Sequence, residues 1–253
     1  MKRIFVILGL TLLILAGCGN NEPSYQDEAF IKDLASNLDE RWSYQEKVAD
    51  DESVSEIDSL KEAISIEIEN MNKYKDAKFE NSKLQELSIA YINELDTAKQ
   101  VLENSSSDNF FTEWDNHYNR RSSIIASINE VQEIPVKNKD SLTTLLSNGK
   151  EVEAKDELKN SLESLFANVK FEIDEDKSDE YTTYYVALVE NTTSSDISSL
   201  SALVDLFDAD EVKISTEYIN ILNWKQGETT RLEFMRPADE QINKYTVTIE
   251  YFE

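Results

Sequence analysis

The 253-residue chain holds one cysteine, Cys18, and one histidine, His117. A single thiol cannot close an internal disulfide, so stability has to come from packing and hydrogen bonding. Zinc centres built on several Cys or on paired His are excluded, because the ligands do not exist. A Cys–His catalytic pair is disfavoured by the position of Cys18 at the extreme amino end. Glycine, with 5 residues, and proline, with 3, are also scarce. That argues against extended low-complexity stretches and leaves little material for a phosphate-cradling glycine loop. Basic residues are few beside acidic ones, 25 against 51, for a formal net charge of −26. Such a surface repels nucleic acid and anionic headgroups and favours solubility, cations or basic partners. With so many acids, no carboxylate pair marks a site by itself.

The amino end is different in kind. Lys2 and Arg3 precede an apolar run from Ile4 to Leu15, which ends in Leu15-Ala16-Gly17-Cys18. The run is short of the roughly 20 apolar residues a membrane span needs. A basic start, an apolar middle and small residues at the end form an export leader. The four residues at its end resemble the lipobox of bacterial prolipoproteins. The resemblance implies that residues 1–17 are a signal cut between Gly17 and Cys18, and that the Cys18 sulfur carries a diacylglyceryl group. It implies a protein held by lipid on the extracytoplasmic face of the cell membrane, since two acyl chains anchor stably. Losing the leader removes Lys2 and Arg3 and leaves 23 basic against 51 acidic residues, a net charge of −28. Residues 18–25 read as a polar tether, reaching on the order of 25 Å at about 3.3 Å per residue. Gly19, not Asp, follows Cys18, and the whole looks like a Gram-positive type of lipoprotein.

From 26 to 167 apolar residues recur at helical spacing. The runs are Phe30, Ile31, Leu34, Ala35, Leu38, Trp42; then Ile57, Leu60, Ile64, Ile68, Met71, Tyr74; then Leu84, Leu87, Tyr91, Leu95, Ala98, Leu102; then Phe110, Trp114, Tyr118, Arg121, Ile125, Ile128. Amphipathic helices of this length bury their faces against one another, which predicts a helical bundle domain over 26–167. Pro135 should stop the fourth helix. A short helix over 140–148 should end at Gly149 as its C′ residue, before a last helix over 151–166.

After 168 the period becomes two. Val169/Phe171/Ile173, Tyr185/Ala187/Val189, Leu200/Ala202/Val204/Leu206, Val212/Ile214/Thr216/Tyr218, Leu232/Phe234 and Tyr245/Val247/Ile249/Tyr251 alternate with polar residues. Turn signals lie near Asn191, Asp208-Ala209-Asp210 and Gln226-Gly227. The pattern predicts an antiparallel β-sandwich over 168–253, hence an α+β chain of two domains. Residues 184–251 resemble the FxLYD family of small immunoglobulin-like domains. The similarity rests on Val189-Glu190-Asn191-Thr192-Thr193, on Val204-Asp205-Leu206-Phe207-Asp208-Ala209-Asp210, on Trp224-Lys225-Gln226-Gly227-Glu228 before Phe234, and on Tyr245-Thr246-Val247. Val204, Phe207 and Gln226 depart from its Phe, Tyr and Pro. It implies an immunoglobulin-like fold in an extracytoplasmic setting and no catalytic residues.

Three further groups of residues bear on chemistry. Glu113 and His117 share a helix face and could hold a cation, but two ligands make a poor site, and His117 reads as a boundary residue of the bundle. Asp174, Asp176, Ser178 and Glu180 alternate like the start of a calcium loop, yet Asp179 and Tyr185 stand where an EF-hand needs Gly and Glu. Trp42, Trp114 and Trp224 read as core, and Tyr184 and Phe252 as aromatics that could mark a binding face. The expectation is a non-enzymatic, lipid-anchored binding or scaffold module, with no cofactor and no metal. Its partner is another protein or a cell-wall component, not nucleic acid. The rivals are a solute- or cation-binding lipoprotein of a transport system and a carboxylate-dependent envelope hydrolase.

Overall fold

The computed structural model describes residues 25–253. The expected leader, the Gly17/Cys18 cleavage point and the lipid site on Cys18 lie outside the described residues. No helix among those described is long and apolar enough to cross a membrane. The fold is α+β: α1 (Asp27–Val48), α2 (Glu56–Ile68), α3 (Ser82–Glu103), α4 (Phe110–Val131) and α5 (Lys139–Ala167) come first, then six antiparallel strands. By compactness the chain divides between Thr143 and Thr144, inside α5. The change of sequence period at 168 coincides instead with the end of that helix.

In the first unit, polar side chains set the helix starts. Ser55 caps α2 by accepting from the Asp58 N–H at 3.1 Å, and Asn81 caps α3 by accepting from Lys83 and Leu84 at 2.9 and 3.1 Å. Each satisfies donors that the first turn leaves open. The expected helix through Met71 and Tyr74 stops at Ile68 instead. Asn70 takes a left-handed φ of 63°, a conformation Asn tolerates, and the chain turns into a 3-10 turn over Asn72–Tyr74. The turn keeps Met71 and Tyr74 buried, with the Tyr74 ring edge-on to Phe30 at 5.3 Å. α4 ends at Val131, four residues before Pro135.

The break expected at Gly149 does not occur. α5 runs unbroken for 29 residues, and Gly149 is buried within it. A helical glycine costs about 1 kcal/mol against alanine. Further along, Leu158, Leu162, Leu165 and Phe166 belong to the core of the second unit.

That unit holds two three-stranded sheets. β1 (Glu172–Ile173), β2 (Thr182–Glu190) and β5 (Thr229–Pro237) form sheet A in the order β1-β2-β5; β3 (Ile197–Phe207), β4 (Lys213–Trp224) and β6 (Lys244–Phe252) form sheet B in the order β4-β3-β6. Their inward residues make one apolar cluster, including Ala187, Val189, Leu200, Val204, Ile219 and Leu232. Trp224 is its largest side chain, edge-on to Phe166 at 6.3 Å, with its indole N–H donating to the Glu228 carbonyl at 2.8 Å. Asn191, fully buried, ties the loops together. Its amide donates to the Ser195 and Trp224 carbonyls, and its Oδ1 accepts from the Thr193 N–H and hydroxyl. Gly227 takes a φ of 75° in the turn before β5, and its N–H donates to the Asn191 carbonyl at 2.8 Å.

Candidate functional site

The first unit concentrates its polar chemistry inside. Arg41 on α1, Glu67 on α2, Tyr91 on α3 and Arg121 on α4 converge on one point. Glu67 is at its centre with 0% exposure. Arg121 grips it with two parallel bonds, Nε to Oε2 at 2.8 Å and Nη2 to Oε1 at 2.6 Å. Arg41 donates to Oε1, and the Tyr91 hydroxyl donates to Oε2 at 2.5 Å. Asn37 donates to the Glu67 backbone carbonyl at 3.1 Å. Burial alone would raise the Glu67 carboxyl; Arg121 and Arg41 overcome it and hold the group at about 2. Burial raises the Tyr91 phenol well above its ordinary value, and the Glu67 charge adds to this, so Tyr91 stays a donor. Two guanidiniums against one carboxylate leave this group with a net charge of +1 if Tyr91 is neutral.

A second cluster lies between α3 and α4. Glu94 receives Arg120 through Nε at 2.9 Å and Nη2 at 3.0 Å, and its Oε1 lies 2.8 Å from His117 Nδ1. Burial lowers the His117 pKa below its ordinary value, although its bond to Glu94 opposes this. A neutral imidazole then donates from Nδ1, and among the described residues the buried Nε2 has no hydrogen-bond partner. Burial would raise Glu94, but His117 and Arg120 hold its carboxyl below the usual range.

This corrects the expectation for His117. It is 1% exposed rather than at a boundary, and its partner is Glu94, not Glu113. Glu113 is exposed and lines a 290 Å³ cleft beside Arg120, Asn116 and Gln100. Tyr118, expected in the apolar stripe, is 37% exposed, because α4 turns His117 inward in its place, while Arg121 of the same stripe is buried. Of the tryptophans Trp224 is buried, while Trp42 and Trp114 are half-buried. Among the described residues no group of three or more His, Cys, Asp or Glu is placed to hold a metal ion. Asp174 spends its carboxylate on Arg231 at 2.5 Å, and Asp179 accepts from the Tyr181 and Thr182 N–H groups at 2.8 Å. The acidic segment is thus tied into the β1–β2 turn.

The helical clefts are lined by mixed polar and apolar surface. The one along α1, about 620 Å³, is lined by Lys32, Ser36, Asp39, Glu46 and Lys137, and Asp39 accepts from the Lys137 and Asn138 N–H groups at 2.9 and 3.0 Å. Exposed apolar side chains occur on both sheets, with Leu188 on β2 and Met235 on β5 72% and 60% exposed, and the outer face of sheet B carries a group of them. Tyr218 and Leu222 on β4 are 69% and 70% exposed, and Tyr251 on β6 is 50% exposed. Register sets Tyr218 opposite Leu203, Leu222 opposite Ser199, and Tyr251 opposite Ser201. Tyr184 and Phe252, read from sequence as aromatics that could mark a binding face, are half-buried.

No protein-family model matches the chain, and no curated protein matches it. Among solved structures, a Pseudomonas fluorescens alkylpurine DNA glycosylase, AlkC, bound to DNA containing an abasic site analogue is 9% identical, over 75% of this chain, with a TM-score of 0.20. The match spans about 60% of the glycosylase's own length. A likeness that slight carries no argument about fold or activity.

Proposed function

We propose that the chain is a lipid-anchored protein of the extracytoplasmic face of a Gram-positive type of membrane, where it serves as a non-enzymatic module that binds another protein. The observation that carries the reading is the Leu15-Ala16-Gly17-Cys18 sequence behind a basic, apolar leader. Two antiparallel sheets sharing one core support reading residues 168–253 as an immunoglobulin-like sandwich of the FxLYD kind. The ionic residues of the helices support a structural role, since buried Glu67 is spent on Arg41 and Arg121 and buried Glu94 on His117 and Arg120. Exposed Tyr218, Leu222 and Tyr251 support a protein partner, because aromatic side chains among hydroxyls suit protein interfaces. The net charge of −28 on the mature chain disfavours nucleic acid.

The test is cross-linking on intact cells followed by purification and intact-mass analysis. The expected result is a diacylglyceryl adduct on Cys18 at the mature amino terminus, with a cross-linked protein that a tether-only control does not capture. An unmodified Cys18 thiol or a retained leader overturns the anchor. An adduct with no specific cross-linked protein overturns the binding role.

A further inference from the structure

We propose that β6 is a self-association edge, onto which the β6 strand of a second copy of this chain adds antiparallel. The inference stands apart from the anchor and from the partner proposed above. β6 lies at one side of sheet B, and among the described residues it pairs only with β3. No backbone hydrogen bond leaves Lys244–Phe252 for any other described element. The far side of the strand therefore offers a row of open N–H and C=O groups, the template for strand addition.

Two observations point to what covers it. The first is incomplete burial. On β3, Ala202, Val204 and Leu206 are 0% exposed, whereas their partners on β6, Ile249, Val247 and Tyr245, are only half-buried. Tyr245 is met by the Phe171 ring at 5.4 Å, but the core is less closed at this strand than at its neighbour.

The second is charge complementarity of the strand with itself. A two-fold axis through Val247 sets Lys244 opposite Glu250 of the second copy, Tyr245 opposite Ile249, and Thr246 opposite Thr248. Lys244, Thr246, Thr248 and Glu250 are all exposed. The register thus yields two opposite-charge pairs, two hydroxyl pairs and two aromatic–β-branched pairs, each a favourable cross-strand combination. Moving the axis to Thr246 or Thr248 breaks both charge pairs, so one register is selected. Glu250 is the extra residue of a bulge, lying between the partners of Ser201 and Ala202, and it bounds the ladder where the charge pair sits. Within one copy Lys244 approaches Glu211, at 3.7 Å between exposed side chains, and lies 5.9 Å from the centroid of the Phe207 ring, contacts that are easily exchanged.

The test uses the full chain in detergent micelles, with mass measured over a concentration series up to about 0.1 mM. The expected result is a monomer–dimer equilibrium. Lys244→Glu alone and Glu250→Lys alone each set like charges opposite one another twice per dimer, and each should weaken association about tenfold. Lys244→Glu combined with Glu250→Lys should restore it. The two positions are about 20 Å apart along one strand, so restoration cannot arise within a single copy. A chain that stays monomeric throughout, or a charge swap that restores nothing, overturns the proposal.

Discussion

The two units solve the problem of a polar sequence in opposite ways. The helical unit buries Asn37, Arg41, Glu67, Ser88, Glu94, His117, Arg121 and Ser122, whereas in the β unit the buried polar residues described are Asn191 and Thr193. The difference follows from geometry. A helix face is wide and shallow, and guanidinium side chains from α1 and α4 are long enough to meet one carboxylate between the helices. A strand gives its inner face one residue in two, and Leu200, Ala202, Val204 and Leu206 on β3 leave no place for a charge. The helical unit therefore adds to its own apolar core a few centralised ionic interactions of high consequence. The β unit is held by many small apolar contacts and one hydrogen-bonded asparagine.

The sharpest way to break this contrast is Glu67→Gln. The variant keeps the shape and removes the carboxylate that, among the described residues, faces Arg41 and Arg121. Removing one partner of a buried ion cluster costs about 3–5 kcal/mol, because the charges left behind are uncompensated. Native-state hydrogen exchange should show protection falling in α1 to α4 and holding in β3 and β4. Equal loss in both regions would mean that the cluster is not confined to the first unit's stability.

Next in size is Asn191→Ala, the matching test on the β side. It deletes donors to Ser195 and Trp224 and the acceptor for Thr193. Leaving such groups buried and unpaired costs about 2–3 kcal/mol. Exchange should now rise around the β2–β3 loop and the β4–β5 turn, with α1 to α4 unchanged. A loss below about 0.5 kcal/mol would place the weight on apolar packing alone, as for an ordinary surface change.

How much of this was legible in the sequence depends on which period carried the signal. The helical runs found α1, α3 and α4, because apolar residues three and four apart have one plausible use. They placed Arg121 in the apolar stripe without saying why, and its partner Glu67 was one acid among 51. An arginine in core register is the signal that was available, since it demands a buried acceptor; which one could be decided only by the helix packing. Gly149 misled because a glycine near a helix end and a buried mid-helix glycine look alike along the chain. On β4 the alternation was real but Ile214 and Tyr218 proved to be the outer face, while Ile219 and Ile221 face the core. A strand with apolar residues on both faces does not declare its inward parity. His117 was read as a boundary residue because Trp114 and Tyr118 flank it, and the acceptor that draws it inward, Glu94, lies on another helix.

The smallest expected effect concerns pH and sets the two units apart again. His117 is buried in neutral form with its pKa lowered, so the folded chain resists a proton that the unfolded chain accepts near pH 6.5. As pH falls through that value the unfolded state holds more protons, and stability drops by at most about 1.4 kcal/mol per pH unit. The depressed Glu94 carboxyl acts later: its contribution is present above its ordinary value of 4.5 and is lost as pH falls below it. The interval from pH 7 to about 5 therefore reports His117 nearly alone. In that interval the helical unit should lose stability by hydrogen exchange, and His117→Gln should flatten the slope whatever its effect at pH 7. Strands β3 and β4 should stay level, since the described β unit buries no titratable side chain. Equal slopes in wild type and variant would show that the imidazole takes its proton inside the folded helices, with Glu94 compensating the charge, and the contrast between the units would then rest on Glu67 alone.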